Sequence, residues 1–274
     1  MSERIYLLPK GSSCYKANLH CHTTFSDGKL TPEEVKKAYG EQGYSVVAYT
    51  DHRSYHWHKE LTDEKFLALA AMEVDINEHY KVSGYFSGVR TYHINLYDST
   101  PEKFQKEKAG GLLPERRYND KEYINEYIDV MKEYGFFACY NHPYWSLQNY
   151  DDYKDFRGFW GMEIYNHGCE HDGLYGYNPQ SYSEMLRLGN RLYCVATDDN
   201  HNSYPFGHPL CDSFGGFTMI YARELTYEAI TESLLKGNFY CSMGPEIREL
   251  YVEEGTLFIK TSPVEKIYVA TQGR

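Results

Sequence analysis

Short apolar runs alternate with helical segments along most of this chain, and histidines and carboxylates stand where the runs end. The runs lie at residues 16–21, 45–49, 66–72, 89–96, 136–140, 159–165, 191–196 and 217–221. Repeated βα units of this kind build a parallel sheet covered by helices. With 274 residues, 42% of them hydrophobic, the chain is long enough for one large α/β barrel or two modest domains. In a barrel the strand ends converge on one rim, so residues distant in sequence can meet there.

Helix signals fall between the runs. Thr31, Pro32 and Glu34 combine an N-cap, a proline at the first helical position and a capping-box glutamate, with Gly43 as the stop. Residues 119–134 place Tyr123, Tyr127, Ile128 and Met131 on one face and end at Gly135. Ser181-x-x-Glu184 opens a third helix that stops near Gly189. Thr226 caps a fourth, with Leu225 and Ile230 as a hydrophobic staple and Gly237 at its end. After Gly244-Pro245 the pattern changes to short antiparallel strands at 250–253, 257–261 and 267–271. The expected division is a barrel over residues 1–244 and a small β appendage over 245–274. Residues 98–118, with Gly110-Gly111 and many charges, read as an excursion or lid over one face.

Charge narrows the partners. A net charge of -11, from 39 acidic and 28 basic residues, repels polyanions, so generic nucleic-acid binding is not expected. A local cluster of cations could still attract a small phosphate ester. No apolar run reaches membrane-spanning length, and residues 1–10 do not resemble a signal peptide. Seven cysteines without a Cys-x-x-Cys pair suit reduced thiols and a cytoplasmic location, with Cys139 and Cys194 expected to be buried. The 29 tyrosines are read as amphipathic core and surface rings, with sugar or base stacking as the other use.

Candidate metal ligands recur at the strand ends. In an extended strand His20 and His22 point the same way and can share an ion while Cys21 faces away. Asp27 follows in Ser26-Asp27-Gly28. Asp51-His52 closes the second run and Glu73 the third; His93 lies within the fourth, His142 follows the fifth, and Asp198-Asp199-Asn200-His201 ends the seventh. Any one of these is ordinarily a surface histidine or a helix cap. The repetition at successive strand ends is the signal.

Together, His20-x-His22-Thr23-x-x-Ser26-Asp27-Gly28, Thr50-Asp51-His52, Glu73, His93, Asn141-His142-Pro143 and Asp199-x-His201 resemble the PHP (polymerase and histidinol phosphatase) domain. The resemblance implies a distorted (β/α)7 barrel and a trinuclear metal site. His20, His22, Glu73 and Asp199 would hold one ion; Glu73 would bridge to a second held by His93 and His142; Asp27, His52 and His201 would hold the third. The mixed imidazole and carboxylate donors suit Zn, Mn or Fe better than Mg or Ca. In much of the family the last motif is a small residue, Ser, Asp, Ala, His, where this chain has Thr197-Asp198-Asp199-Asn200-His201. Asp199 preserves the Asp-x-His spacing, which leaves Asp198 an outer position or a helix cap, or the two roles exchanged.

The expected chemistry is hydrolysis of a small phosphorylated metabolite by a metal-bridging hydroxide attacking phosphorus, with Asp27, His52, Glu73 and Asp199 as the catalytic core. Asp51 and Asn141 are candidates to orient imidazoles, and Arg53 and His167 to bind substrate. Trp57 and Trp145 could stack on a ring near the rim. The alternatives are a nuclease or nucleotide phosphoesterase, an amidohydrolase-like enzyme, which would call for a modified lysine, and a metal-binding module without turnover.

Overall fold

The computed structural model describes residues 4–78 and 90–270. In chain order its elements are β1 (Ile5–Tyr6), β2 (Ser13–Asn18), α1 (Pro32–Glu41), β3 (Tyr44–Tyr49), β4 (Leu67–Asn77), β5 (Thr91–Asp98), α2 (Gln105–Ala109), α3 (Lys121–Glu133), β6 (Phe136–Tyr140) and α4 (Tyr150–Tyr153). There follow β7 (Gly161–Asn166), α5 (His167–His171), α6 (Pro179–Arg187), β8 (Tyr193–Thr197), β9 (Phe217–Ala222), α7 (Tyr227–Lys236), β10 (Phe239–Ser242), β11 (Ile247–Glu253) and β12 (Thr256–Thr261).

Nine strands form one curved sheet in the order β10-β9-β2-β3-β4-β5-β6-β7-β8. Its two ends approach each other: the sulfurs of Cys194 on β8 and Cys241 on β10 lie 3.7 Å apart, which makes the sheet a nearly closed barrel. The mixed α/β barrel with a small separate sheet is the fold class expected from the sequence. The sheet is not wholly parallel. β5 runs antiparallel to both β4 and β6, and β9 antiparallel to β2 and β10. Because β5 is reversed, its beginning lies at the rim, and His93 pairs with Asp75 there. Val89, the expected start of this strand, lies outside the described residues.

Strands β3 to β7 are buried on both sides almost throughout, which explains why they read as continuous apolar runs. Inside the barrel, Ala17, Leu19, Val46, Leu69 and Val195 pack together, and Ile230 and Leu234 of α7 join them. Outside, Ile128 and Met131 of α3 pack on Ile94 and Tyr140, while Val35 and Tyr39 of α1 pack on Val47 and Tyr49. Each fully buried Leu or Ile contributes roughly 2 kcal/mol through area removed from water.

Local signals acted largely as read. Thr31 and Glu34 form the reciprocal capping box of α1, and Thr226 and left-handed Gly237 bound α7. Tyr123, half-buried, packs with Tyr127, Ile128 and Met131 against the core as expected, and Ile124 and Asn125 join the covered face of α3. The third helix starts earlier than expected: Asn178 is its cap and Pro179 its first residue, so Ser181 lies within it.

The small sheet has the order β1-β11-β12. Its third strand therefore comes from residues 5–6, at the far end of the sequence, and residues 267–270 form no strand; Thr271 lies outside the described residues. The 98–118 excursion ends against Arg53 and Asp75, through the Pro114 carbonyl and the Arg116 guanidinium. It is pinned by a buried ion pair of Lys108 Nζ with Asp98 Oδ2 at 2.6 Å, and Tyr55 donates to the same oxygen at 2.5 Å. Among the described residues no helix is long and apolar enough to cross a membrane.

Candidate metal centre

All nine expected ligands meet at one mouth of the barrel. Their donor atoms form four overlapping groups, each within 4.8 Å: His22, Asp27, His52, His201; His20, His22, Glu73; His20, His142, Asp199; and His52, Glu73, His93. The grouping differs from that implied by the family: His52 also joins Glu73 and His93, and Asp199 groups with His20 and His142 rather than with His20, His22 and Glu73. His22 also reaches the outer group, with Nδ1 3.5 Å from Asp27, and His142 groups with His20 and Asp199 while its Nε2 stays 3.6 Å from Glu73.

Short links in the chain aim these groups. β2 ends at Asn18, and the backbone of His22 and Thr50 then bonds to Asn200 and Cys21, locking the His-x-His turn against two neighbouring loops. Gly28 is required in that turn, since a Cβ there would lie 2.4 Å from the carbonyl oxygen of His22. His142 and Asp199 have φ of +23° and +52°, a left-handed backbone that side-chain-bearing residues seldom adopt. Such conformations store strain and persist where surrounding structure imposes them.

The donor atoms face one another without satisfying one another. His20 Nε2 and His22 Nε2 are 3.1 Å apart, and they lie 3.1 and 3.0 Å from Asp199 Oδ1. His52 Nδ1 is 3.0 Å from Glu73 Oε2, and His93 Nδ1 is 3.1 Å from Glu73 Oε1. Ligand atoms each about 2.1 Å from one ion sit roughly 3.0–3.5 Å from one another. Glu73 Oε2, His142 Nε2 and Asp199 Oδ1 are buried without a hydrogen-bond partner among the described residues. A buried polar atom without a partner costs about 1–3 kcal/mol, so this arrangement fits bound cations and is costly without them.

Electrostatics agree with that reading. Burial disfavours charge on His20, but Asp199, Glu163 and Glu73 outweigh it and hold its pKa well above the ordinary value. Burial would raise Glu73, yet His93, His20 and His52 drive it well below the usual carboxylate range. Toward the outside, burial pushes His52 down to about 4. Burial would also lower His201, but Asp27 and Asp199 outweigh it and raise it to about 9.

The supporting residues differ from the expected ones. Asp51 does not touch an imidazole: it accepts from Thr23 N, Thr23 Oγ1 and Ser26 Oγ, each at 2.8 Å, and so fixes the loop after His22. Asn141 orients a carboxylate rather than an imidazole, donating to Glu73 Oε1 at 2.8 Å. Asp198 faces away from the cluster and accepts from Tyr39 and the amides of Phe214, Gly215 and Gly216, which leaves Asp199 alone at the mouth. The residue that orients an imidazole is Glu163, 2.6 Å from His20 Nδ1. Asn166 bridges Glu163 and Asp199 with 3.0 Å bonds to each. An acid inside the apolar run 159–165 was the available signal for Glu163.

A cavity of about 410 Å³ opens over the cluster. Neither Arg53 nor His167 lines it. Arg53, with φ +51°, turns aside to Asp75 and the carbonyl of Pro114, and His167 lies behind His171, which does line the cavity. Trp145 is in the wall, whereas Trp57 packs edge-on against Tyr227 at the core.

A nearly closed α/β barrel whose mouth gathers several histidines and carboxylates has the donors to hold metal ions. Residues 18–136 match the family model of the PHP domain, the family the motifs resemble. No curated protein matches the chain. Among solved structures, a two-domain protein of Bacteroides vulgatus containing a predicted PHP-like metal-dependent phosphoesterase is 19% identical, with a TM-score of 0.49 over 89% of this chain and 69% of that one. A candidate metal-dependent phosphoesterase of Bifidobacterium adolescentis is 16% identical, with a TM-score of 0.44 over 72% and 92%. An amidohydrolase of Chromobacterium violaceum, crystallised with sulfate and no metal, is 16% identical, with a TM-score of 0.36 over 82% and 97%.

Proposed function

We propose that this chain hydrolyses the phosphoester of a small phosphorylated metabolite, using divalent ions held by His20, His22, Asp27, His52, Glu73, His93, His142, Asp199 and His201. The observation that carries the reading is the cavity wall: five histidines and five carboxylates, with no lysine or arginine among the described lining residues. A phosphoryl group entering it would meet an excess of negative charge unless metal cations were bound there, since the raised His201 offsets only part of the five carboxylates. Bound Zn, Mn or Fe would supply that neutralisation and an acidified water.

The protein's own residues do the rest. Glu163 fixes His20 by its Nδ1, turning Nε2 to the mouth, while Asn141 and Asn166 hold the carboxylates of Glu73 and Asp199 in place. His171 is the one lining histidine outside the four donor groups. Its Nε2 lies 3.2 Å from His167 Nε2, and His167 Nδ1 lies 2.9 Å from the Tyr165 hydroxyl. Burial and the neighbouring His171 lower the His167 pKa to about 4, so that ring is neutral and its lone pair can accept from His171. With Nε2–H held by His167, only the imidazolium form of His171, protonated on both nitrogens, could give its Nδ1 proton to the leaving oxygen and so return to the neutral ring.

The test is phosphate release by metal-replete protein from sugar phosphates, nucleotides and histidinol phosphate, beside a panel of amides and carboxylic esters. Release from at least one phosphoester, lost in Glu73→Gln, is expected. Release from none, or turnover of amides alone, would overturn the reading.

A further inference from the structure

A second cavity, of about 680 Å³, opens beside the mouth. The same two stretches of chain wall both. Residues 142–153 give Trp145 to the mouth and Tyr144 and Gln148 to the second cavity; residues 168–184 give His171 and Asp172 to the one and Tyr177 and Asn178 to the other.

The two walls have opposite chemistry. Among the described residues, the second cavity is lined by four tyrosines, carboxamides, a proline and a serine, with no lysine, arginine or histidine. Its one acid, Glu184, is already engaged by the Tyr153 hydroxyl and the Gln180 amide. Tyr144, Tyr150 and Tyr177 are 55%, 44% and 53% exposed, a concentration of open aromatic faces that a surface without a ligand rarely keeps together. Gln148 accepts from Tyr140 through Oε1, while its Nε2 is buried with no partner among the described residues.

A wall without cations does not recognise an anion, and aromatic faces interleaved with amides suit a neutral polyhydroxylated ligand. The ring geometry separates a sugar from a flat base. Tyr150 and Tyr153 stand at 80° with centroids 6.1 Å apart, and Tyr144 and Tyr175 at 82° and 5.0 Å, so neither pair forms a parallel clasp. Single open faces instead accept the C–H face of a pyranose.

We propose that this cavity is a subsite for a neutral saccharide, and that the alcohol borne by the phosphoester is a sugar. The second half of the proposal rests on the phosphoesterase reading; saccharide binding does not.

Saturation-transfer difference NMR on the full chain, with maltose, cellobiose, sucrose and adenosine each at about millimolar concentration, tests it. Ring protons of at least one disaccharide should take up saturation in the wild type and equally in Glu73→Gln. That signal should fall at least about fivefold in Tyr150→Ala and Tyr177→Ala, whose parent side chains are exposed enough to remove without unfolding. No transfer to any sugar, signals unchanged in both tyrosine variants, or stronger transfer to adenosine would overturn the subsite. With phosphoesters, Tyr177→Ala should raise KM for glucose 6-phosphate about tenfold and leave that for glycerol phosphate unchanged; equal change for both overturns the link to the substrate. Saccharide transfer without phosphate release would leave the subsite standing and remove the phosphoesterase reading. Phosphate release without transfer would do the reverse.

Discussion

At the residue scale, two side chains outside the nine candidate ligands stand where they would support a metal-loaded mouth. Glu163 holds His20 through a 2.6 Å contact in a fully buried setting. Glu163→Ala should weaken metal binding by about 10–100-fold, the usual effect of losing the partner behind a ligating histidine; equilibrium dialysis measures it, and unchanged affinity would remove Glu163 from the account. His171 should matter only when the leaving group needs a proton. His171→Gln should slow hydrolysis of alkyl phosphates by about 100-fold or more and scarcely affect p-nitrophenyl phosphate, whose phenolate leaves unaided. Equal slowing of both would assign His171 a structural part. The meeting of the nine candidate ligands was legible because a metal site can be built only from a few side-chain types, and these recur where apolar runs end. Arg53 was misread because spacing carries no backbone angle: a left-handed φ of +51° sends it to Asp75. Asp198 and Asp199 could be told apart by motif spacing, but the three amides that hold Asp198 come from residues 214–216, which no local pattern reveals.

At the scale of elements, strand direction is the part the sequence withholds. A run of buried residues reads the same forwards and backwards, so the reversal of β5 was invisible, although it is what carries His93 to the rim. Caps and stops were clearer, since Thr31, Thr226 and Gly237 act through their own backbone neighbours. The seam between β8 and β10 yields a prediction of its own. The hydrogen bond with Cys241, in which either sulfur can donate, lowers the Cys194 pKa to about 7 against the opposing effect of burial. The folded chain therefore favours the Cys194 thiolate: the stabilisation is complete above the ordinary thiol value of 9.0 and disappears as pH falls through about 7. Alkylation of Cys194 by iodoacetamide should show a midpoint near pH 7, shifted upward in Cys241→Ala. A midpoint unmoved by that substitution would contradict the pairing.

Across the whole molecule, the barrel separates two tasks. Its interior and flanks supply stability through apolar burial, with α7 packed into the inner core, while its mouth gathers polar atoms that the fold leaves partly unpaired. The small sheet was legible as β structure from the alternation after Gly244, but not its composition, because the pairing of residues 5–6 with 251–252 spans almost the whole sequence. The loss of a proton from His201, held near 9 by Asp27 and Asp199, should accompany metal uptake, so affinity should rise with pH up to about 9 and fall as pH drops below it. The most direct test of the central claim is equilibrium dialysis against Mn²⁺ at pH 8, followed by elemental analysis of the protein. About three ions per chain, and clearly fewer in Glu73→Gln, is the result the account predicts. Less than one ion per chain, or the same content in both proteins, would contradict it.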